Sequence, residues 1–390
     1  MKRSVLPAAV GLAAIVALSA CGSSSSGSSS SGASSATSSS SDSTAAASSA
    51  PAGSASAAAT GNPGSSVTLT EAGSSLIYPY LQTIQSPLQS AYSNISLQPA
   101  PGGSGKGIAD AIAGTTVLGG SDAYLSSGQQ SQNPDMLNVP VVISSQAINY
   151  NLKGVKNLKL TGAVLAQMYE GKITTWDDPA IKKLNPGANL PSEKVVPVRR
   201  VDASGDTFIF TSFLSATDDT WKNGPSLGTT VTWPAVGNEL TASGNPGMVQ
   251  TCSQTPGCIA YVGASVQDAA TKAGLGQAEL QNKDGNFVLP TTDNVSAAVA
   301  AGAGSIPDNL AEPQIYEPGA KSYPIVNFEY LVVNKKQKSA DLAMAVRTFL
   351  TWTMSKSGGS QAQYLDKVSF VAIPDSVKPK IEQAISQIQG

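Results

Sequence analysis

Apolar positions recur along this chain at two spacings, every second residue in short runs and three to four residues apart in longer ones. The alternation of the two predicts strands that lead into helices. Val67 to Thr70 alternates as a strand does, and Ile77, Leu81, Ile84 and Leu88 then mark one face of a helix. Pro79 falls in its first turn, where proline is tolerated, and Pro87 is expected to end or kink it. Ile95 to Gln98 is again strand-like, and Ile108, Ala111 and Ile112 form a helical stripe ending near Ala113. The run TTVLGGSDAYLSS reads as a strand as far as Ser121-Asp122. Val139 to Tyr150 is nearly continuous and apolar, which suits a strand covered on both faces. From Asn151 helix signals take over: Thr161 can cap Ala163 to Tyr169, and Trp176-Asp177-Asp178-Pro179 opens a short helix. Val195 to Val198 passes through a polar turn into the dense apolar run Phe208 to Leu214. Ile259 to Val262 and Tyr323 to Asn334 read as strands, and Asp341 to Met354 as a helix with Leu342, Val346, Phe349, Leu350 and Thr353 on one side.

Such alternation indicates an α/β chain. The segment from Val67 to Gly390 is too long for one comfortable core, so two lobes are expected, each a central sheet flanked by helices. The chain leaves the first lobe near Tyr150 and returns near Tyr323. Residues 67–150 and 323–390 would therefore form lobe I and residues 151–322 lobe II, with two hinge crossings and a cleft between.

The first sixty or so residues do not fit a folded core. Residues 1–20 read as a secretion signal: Lys2 and Arg3 precede a largely apolar stretch that is shorter than the ~20 residues a spanning helix needs. Its end, Leu18-Ser19-Ala20-Cys21, resembles the bacterial lipobox, which would make Cys21 the lipidated first residue of the mature chain. Residues 21–66 are almost entirely Ser, Ala, Gly and Thr, with Asp42 the only charge. A segment so poor in apolar surface is expected to be a flexible tether with a reach of about 35–40 Å.

The formal net charge is −2 and the chain has no histidine. That balance argues against a nucleic-acid surface, and it excludes histidine-based catalysis and histidine-ligated metal. No cofactor is implied. With Cys21 assigned to lipid, Cys252 and Cys258 remain, and in an exported chain they read as one short-loop disulfide rather than a metal site.

Candidate chemistry lies in the strand-to-helix turns. In RRVDASGDTF at 199–208, backbone N–H groups at the positive end of a helix sit beside a hydroxyl and two arginines, the kind of place where anions bind. Read alone, Ser204 or Asp206 serves as well as a simple N-cap. Gly73-Ser74-Ser75 and the Gly-rich turn around Ser104 repeat the arrangement, without the order of a nucleotide-binding P-loop. Asp122, where a buried strand ends, would alone be read as a turn former.

Together the turns GSS at 73–75, GGSG at 102–105, GSDA at 120–123 and RRVDASGDTF at 199–208 resemble, in order and spacing, the phosphate-binding lipoproteins of phosphate-specific ABC importers. The actinobacterial and mycobacterial type is most similar, and TGAVLAQMYEGKITTWDDPAIKKLNPG and GCIAYVG extend the likeness over nearly the whole folded part. The resemblance implies a two-lobed periplasmic-binding-protein-like fold of type II. It implies a monomer that binds inorganic phosphate, docks on the permease subunits of the importer and is anchored to the outer face of the membrane through Cys21. Ser75 would donate its hydroxyl and Leu76 its N–H, at positions where the family often has Thr-Phe. Ser104 would donate, Asp122 would accept a proton from the phosphate, Arg200 held by Asp202 would make the charged contact, and Ser204 and Gly205 would add donors. Asp206 stands where many members have Thr; it would touch phosphate, balance Arg200 or cap the helix. The choice of Arg200 over Arg199 comes from that likeness, and strand alternation agrees that only one of the two can face a cleft.

Selectivity would then come from Asp122, since phosphate keeps a proton near neutral pH and sulfate has none to give. Three other readings compete. A sulfate or molybdate receptor is disfavoured by carboxylates in the contact set, and a phosphoesterase by the want of metal ligands or an activated nucleophile. An adhesin role for an exposed lipoprotein is compatible with transport.

Overall fold

The computed structural model describes residues 59–390. The signal at 1–20, Cys21 and most of the expected tether lie outside the described residues. The remainder of that tether, residues 59–66, packs on the folded part. Gly61 N–H donates to Thr348 Oγ1 at 2.8 Å, Gly64 and Ser65 N–H donate to the Asp341 carboxylate at 3.1 Å, and Arg347 donates to the Ala59 carbonyl. Polar side chains on one helix hold this segment by its backbone, so it needs no apolar residues to be held, and the sequence pattern carries no trace of it.

Strand β1 (Val67–Gly73) runs parallel to β2 (Ile95–Pro101) and β3 (Leu118–Ser121), with helices α1 (Tyr78–Ala91) and α2 (Ser104–Ala113) as the crossovers. Helix α1 continues through Pro87 to Ala91. Proline forfeits one backbone bond there, but Tyr80, Leu81, Ile84 and Leu88 are fully buried, and that packing outweighs the loss. Next comes β4 (Met136–Tyr150), buried along almost its whole length. The segment expected to form lobe II supplies β5 (Val196–Arg200), α3 (Gly205–Thr217), β6 (Leu240–Ala242), α4 (Gly244–Ser253) and β7 (Cys258–Gly263). The chain returns in β8 (Val326–Asn334) and ends past α5 (Ala340–Thr353).

These strands form one curled sheet in the order β2-β1-β3-β8-β4-β7-β5-β6. Its two ends are parallel, and the antiparallel strands β8 and β4 join them. The joint lies inside β4: Ser145 pairs with Val326 of β8, whereas Gln146 pairs with Gly263 of β7. The returning chain lies against the same point, where Gln146 N–H donates to the Ile325 carbonyl at 3.1 Å and Tyr323 Oη–H to the Gln146 carbonyl at 2.9 Å. The partner change therefore falls before the strand's end at Tyr150. The architecture is mixed α/β, two sheet halves joined through β8 and β4. Cys252 and Cys258 are joined in a disulfide at the end of α4.

Parallel strands with helical crossovers bring their carboxyl ends to one edge. Gly73 stands beside both Pro101 and Gly120 in register, so the turns after β1, β2 and β3 open side by side. The turn after β5 faces them from lobe II, and the lobes touch: Gly105 N–H donates to the Ala203 carbonyl at 2.9 Å, and Asn245 N–H to Ser75 Oγ at 3.1 Å.

Candidate anion site between the lobes

Every residue singled out in the four turns lies at this junction, and nearly all are buried. Ser104, Asp122, Arg200, Ser204 and Asp206 are at most 3 % exposed, far below what charged residues show unless they are paired. Ser204 caps α3 by accepting the Thr207 N–H at 3.3 Å, which leaves its own O–H free to donate and the Gly205 and Asp206 N–H groups without an intrahelical acceptor. Ser104 Oγ accepts the Asp122 N–H at 3.1 Å. Ser75 Oγ accepts from the Asn245 backbone and, at 3.3 Å, from its side-chain amide, so it bridges the lobes. Leu76 N–H is donated to Ser74 Oγ at 2.9 Å.

The two arginines diverge, as strand alternation requires. Arg199 pairs with Glu239 at 2.7 Å and lies over the Trp233 ring, away from the junction. Arg200 turns inward. Its Nε donates to Asp202 Oδ1 at 2.8 Å, its NH2 group to Asp202 Oδ2, and its NH1 group to Asp206 Oδ2 at 2.5 Å. A guanidinium has five N–H donors in a rigid fork. Three are committed, which leaves one on each terminal nitrogen to donate to an oxyanion. Asp206 thus balances Arg200, and it also accepts from Asn245 Nδ2 at 2.7 Å and Gln146 Nε2 at 3.2 Å. The N-cap is Ser204, not Asp206.

Burial pushes the Asp206 carboxyl up to about 6, reinforced by the Asp122 charge and opposed by Arg200. Burial raises Asp122 as well, against hydrogen bonds from Glu329, Ser74 and Ser104 and the charge of Arg200. For Asp202, Arg200 outweighs burial and holds the carboxyl below its ordinary value.

Several members of this cluster were missed at the sequence level. Ser74, next to the selected Ser75, donates its hydroxyl to Asp122 Oδ1. Two adjacent hydroxyls look alike in sequence, and only the turn's geometry decides between them. Asn245 and Gln146 carry no motif. Glu329 and Glu71 did leave a signal, since each is a lone acid within a strand pattern, and both are buried. Tyr261 Oη accepts the Arg200 N–H at 2.9 Å while its ring stacks on Phe210, which locks the end of β5 to α3.

The arrangement can bind an anion through hydroxyls, helix-start N–H groups and one guanidinium, with a carboxylate as the contrasting acceptor. The family profile described as PBP superfamily domain matches residues 27–357. The phosphate-binding protein PstS of Methanocaldococcus jannaschii is 35% identical over 326 residues, covering 77% of this chain and 81% of that protein. PstS3 of Mycobacterium bovis is 32% identical over 352 residues, covering 85% and 90%. In fold, the chain is similar to a high-affinity periplasmic phosphate-binding protein (PfluDING) solved with phosphate, with a TM-score of 0.65 at 23% identity over 81% of this chain and 93% of that one. On the sequence matches, the chain belongs to the PBP superfamily and, within it, to the family of phosphate-binding proteins PstS.

Proposed function

We propose that this chain binds inorganic phosphate between its lobes outside the cytoplasm and delivers it to the permease subunits of a phosphate ABC importer. One observation carries the reading: two uncommitted Arg200 N–H groups, the hydroxyls of Ser75 and Ser204 and the start of α3 lie beside the acceptor Asp122, and Ser104 would turn its hydroxyl from Asp122 to the anion. A buried dianion needs many donors. Gly205 and Asp206 add helix-start N–H groups, and Leu76 would share its N–H between Ser74 and the anion. Asp202 and Asp206 hold the guanidinium in place, and Asp122 accepts the phosphate hydroxyl. The names of the relatives, all phosphate-binding proteins, support the same ligand.

The chain acts as a monomer, performs no chemistry on its ligand and is held at the outer face of the membrane by lipid on Cys21, with residues 21–58 as tether. Titration calorimetry with phosphate, sulfate, molybdate and a phosphate monoester tests the ligand. Phosphate alone should bind tightly, and a preference for sulfate or molybdate would replace this reading with that of another oxyanion receptor. Cys21→Ser should move the protein from the membrane fraction to the soluble one, and unchanged fractionation would refute the anchor.

A further inference from the structure

Glu329 sits directly behind the acceptor of the proposed site, and no role assigned so far uses it. It lies on β8, is fully buried, and stands where the pairing of β8 with β4 slips by one residue opposite Pro140 and Val142. Bulges of this kind re-aim a side chain near a site. One oxygen, Oε1, accepts the Ser144 hydroxyl; the other, Oε2, has no donor among the described residues. Tyr330 of β8 pairs antiparallel with Ser121, and Asn327 Nδ2 donates to the Asp122 carbonyl, so the next residues in register, Glu329 and Asp122, stand opposite each other with their carboxyl groups near enough to interact. The other charges nearby are Asp206 at the start of α3, which is repulsive, and Arg200 at the end of β5, already committed to Asp202 and Asp206.

Two carboxyl groups in direct contact without an intervening donor cannot both be ionised, so the pair holds a proton. Its location follows from the donors on each side. Asp122 has the Ser74 and Ser104 hydroxyls and the field of Arg200 to support a charge, whereas Glu329 has Ser144 alone. We propose that Glu329 is the neutral member of the pair, donating its carboxyl O–H to Asp122, and that it acts as a positioning residue which keeps Asp122 anionic and aimed at the ligand. Burial raises the Glu329 carboxyl well above its ordinary range, with the Asp122 charge adding to the effect, in the same direction.

The inference rests on the phosphate reading for its binding arm only. Glu329→Gln preserves the geometry, because the amide carbonyl can accept from Ser144 while its N–H donates to Asp122. Glu329→Leu removes the donor. With inorganic phosphate as the probe, the Gln variant should bind within about threefold of wild type and the Leu variant at least about tenfold more weakly, the scale of one lost charge-assisted hydrogen bond. Infrared difference spectroscopy at neutral pH should show a protonated carboxyl C=O stretch in wild type that is missing from the Gln variant. Phosphate binding weakened about tenfold or more in Glu329→Gln, full affinity in a folded Glu329→Leu, or no loss of the protonated band would overturn the proposal. If wild type binds no phosphate, the functional reading fails, and the infrared comparison still decides the protonation of Glu329.

Discussion

Gly205→Ala separates closure of the cleft from folding of the lobes. Gly205 opens α3 on lobe II with residues of lobe I directly against it. A methyl group at this position would lie 2.5 Å from Asp122 Cβ and closer still to Asp122 Oδ2 and Ser104 Oγ. Unstrained carbon contacts need about 3.5–4.0 Å. Within its own lobe the substitution is benign, since Gly205 is not among the residues of positive φ and lies in the first turn of a helix. There, alanine gains about 0.4–1 kcal/mol by restricting the unfolded chain. The overpacking, about 1–3 kcal/mol, therefore falls on the contact between lobes, and the expected loss of phosphate affinity is about 5- to 150-fold. The assay is titration calorimetry with phosphate, beside thermal denaturation of the ligand-free proteins. Affinity should fall while the ligand-free Tm holds or rises. An affinity within about twofold of wild type would mean that the Gly205–Asp122 contact is not part of the bound arrangement. A ligand-free Tm that falls with the affinity would mean that the methyl disturbs lobe II itself.

Three further outcomes are expected. Two unit charges about 4 Å apart at an effective dielectric of about 20 repel by about 4 kcal/mol, roughly a thousandfold in affinity. Asp122→Asn should accordingly bring sulfate binding into the detectable range, and sulfate that stays undetectable in a variant still binding phosphate counts against the role of Asp122. Replacing Cys252 and Cys258 together by alanine removes a cross-link between residues six apart in sequence. Urea denaturation should show about 2 kcal/mol less stability. Phosphate affinity should be kept, because Cys258 begins β7 and the site-facing Gly263 ends it, and a large loss of affinity would contradict that separation. Burial pushes the Glu71 carboxyl up to about 8 and Asp206 up to about 6. Both are ordinarily near 4 in an unfolded chain, so the native state holds protons that the unfolded state has released. Ligand-free stability should fall as pH rises from about 4 toward 8, the upper part of the fall being shared by Glu71 and the buried Glu329. The upper step should shrink in Glu71→Gln, and a Tm profile unchanged by that substitution would refute the assignment.

Much of this was legible because the apolar pattern is strong where packing is strong. The stripe Ile77, Leu81, Ile84, Leu88 is the buried face of α1, and the dense run Phe208 to Leu214 is buried within α3. The fold class followed from strand and helix in alternation, and the arginine that turns inward followed from strand periodicity joined to family likeness. What escaped was whatever depends on contacts distant in sequence. The change of sheet partner at Ser145–Gln146 is invisible because β4 is covered on both faces throughout, so its apolar run shows no break. The small sheet of Lys159–Leu160, Glu279–Gln281 and Phe287–Val288 has strands too short to show a period. Residues 59–66 are held by Asp341, Arg347 and Thr348 from across the chain. Ser74 joined the site through turn geometry, Gln146 from inside β4 and Asn245 from the first turn of α4, all through contacts distant in sequence, whereas Glu71 and Glu329 broke an apolar pattern and could have been flagged on that ground.

The charges around Arg200 explain why the site can be built without lysines. Even with Glu329 neutral, one guanidinium faces the carboxylates of Asp122, Asp202 and Asp206, so the cluster is negative before any ligand enters. An incoming dianion gains nothing from net charge there. It can be held only by N–H and O–H groups at hydrogen-bond range, which act locally and fade within a few ångströms. The carboxylates then have a different use. Asp202 and Asp206 take three of the five donors of Arg200 and so fix the direction of the other two, which a free arginine would leave to thermal motion. Asp122 accepts from any ligand that still has a proton and repels any that has none. Most of the binding strength and most of the selectivity therefore come from different atoms, and that is why Gly205→Ala, which should weaken phosphate and any competitor alike by obstructing closure, and Asp122→Asn, which should change the ranking of phosphate against sulfate, should have separable effects.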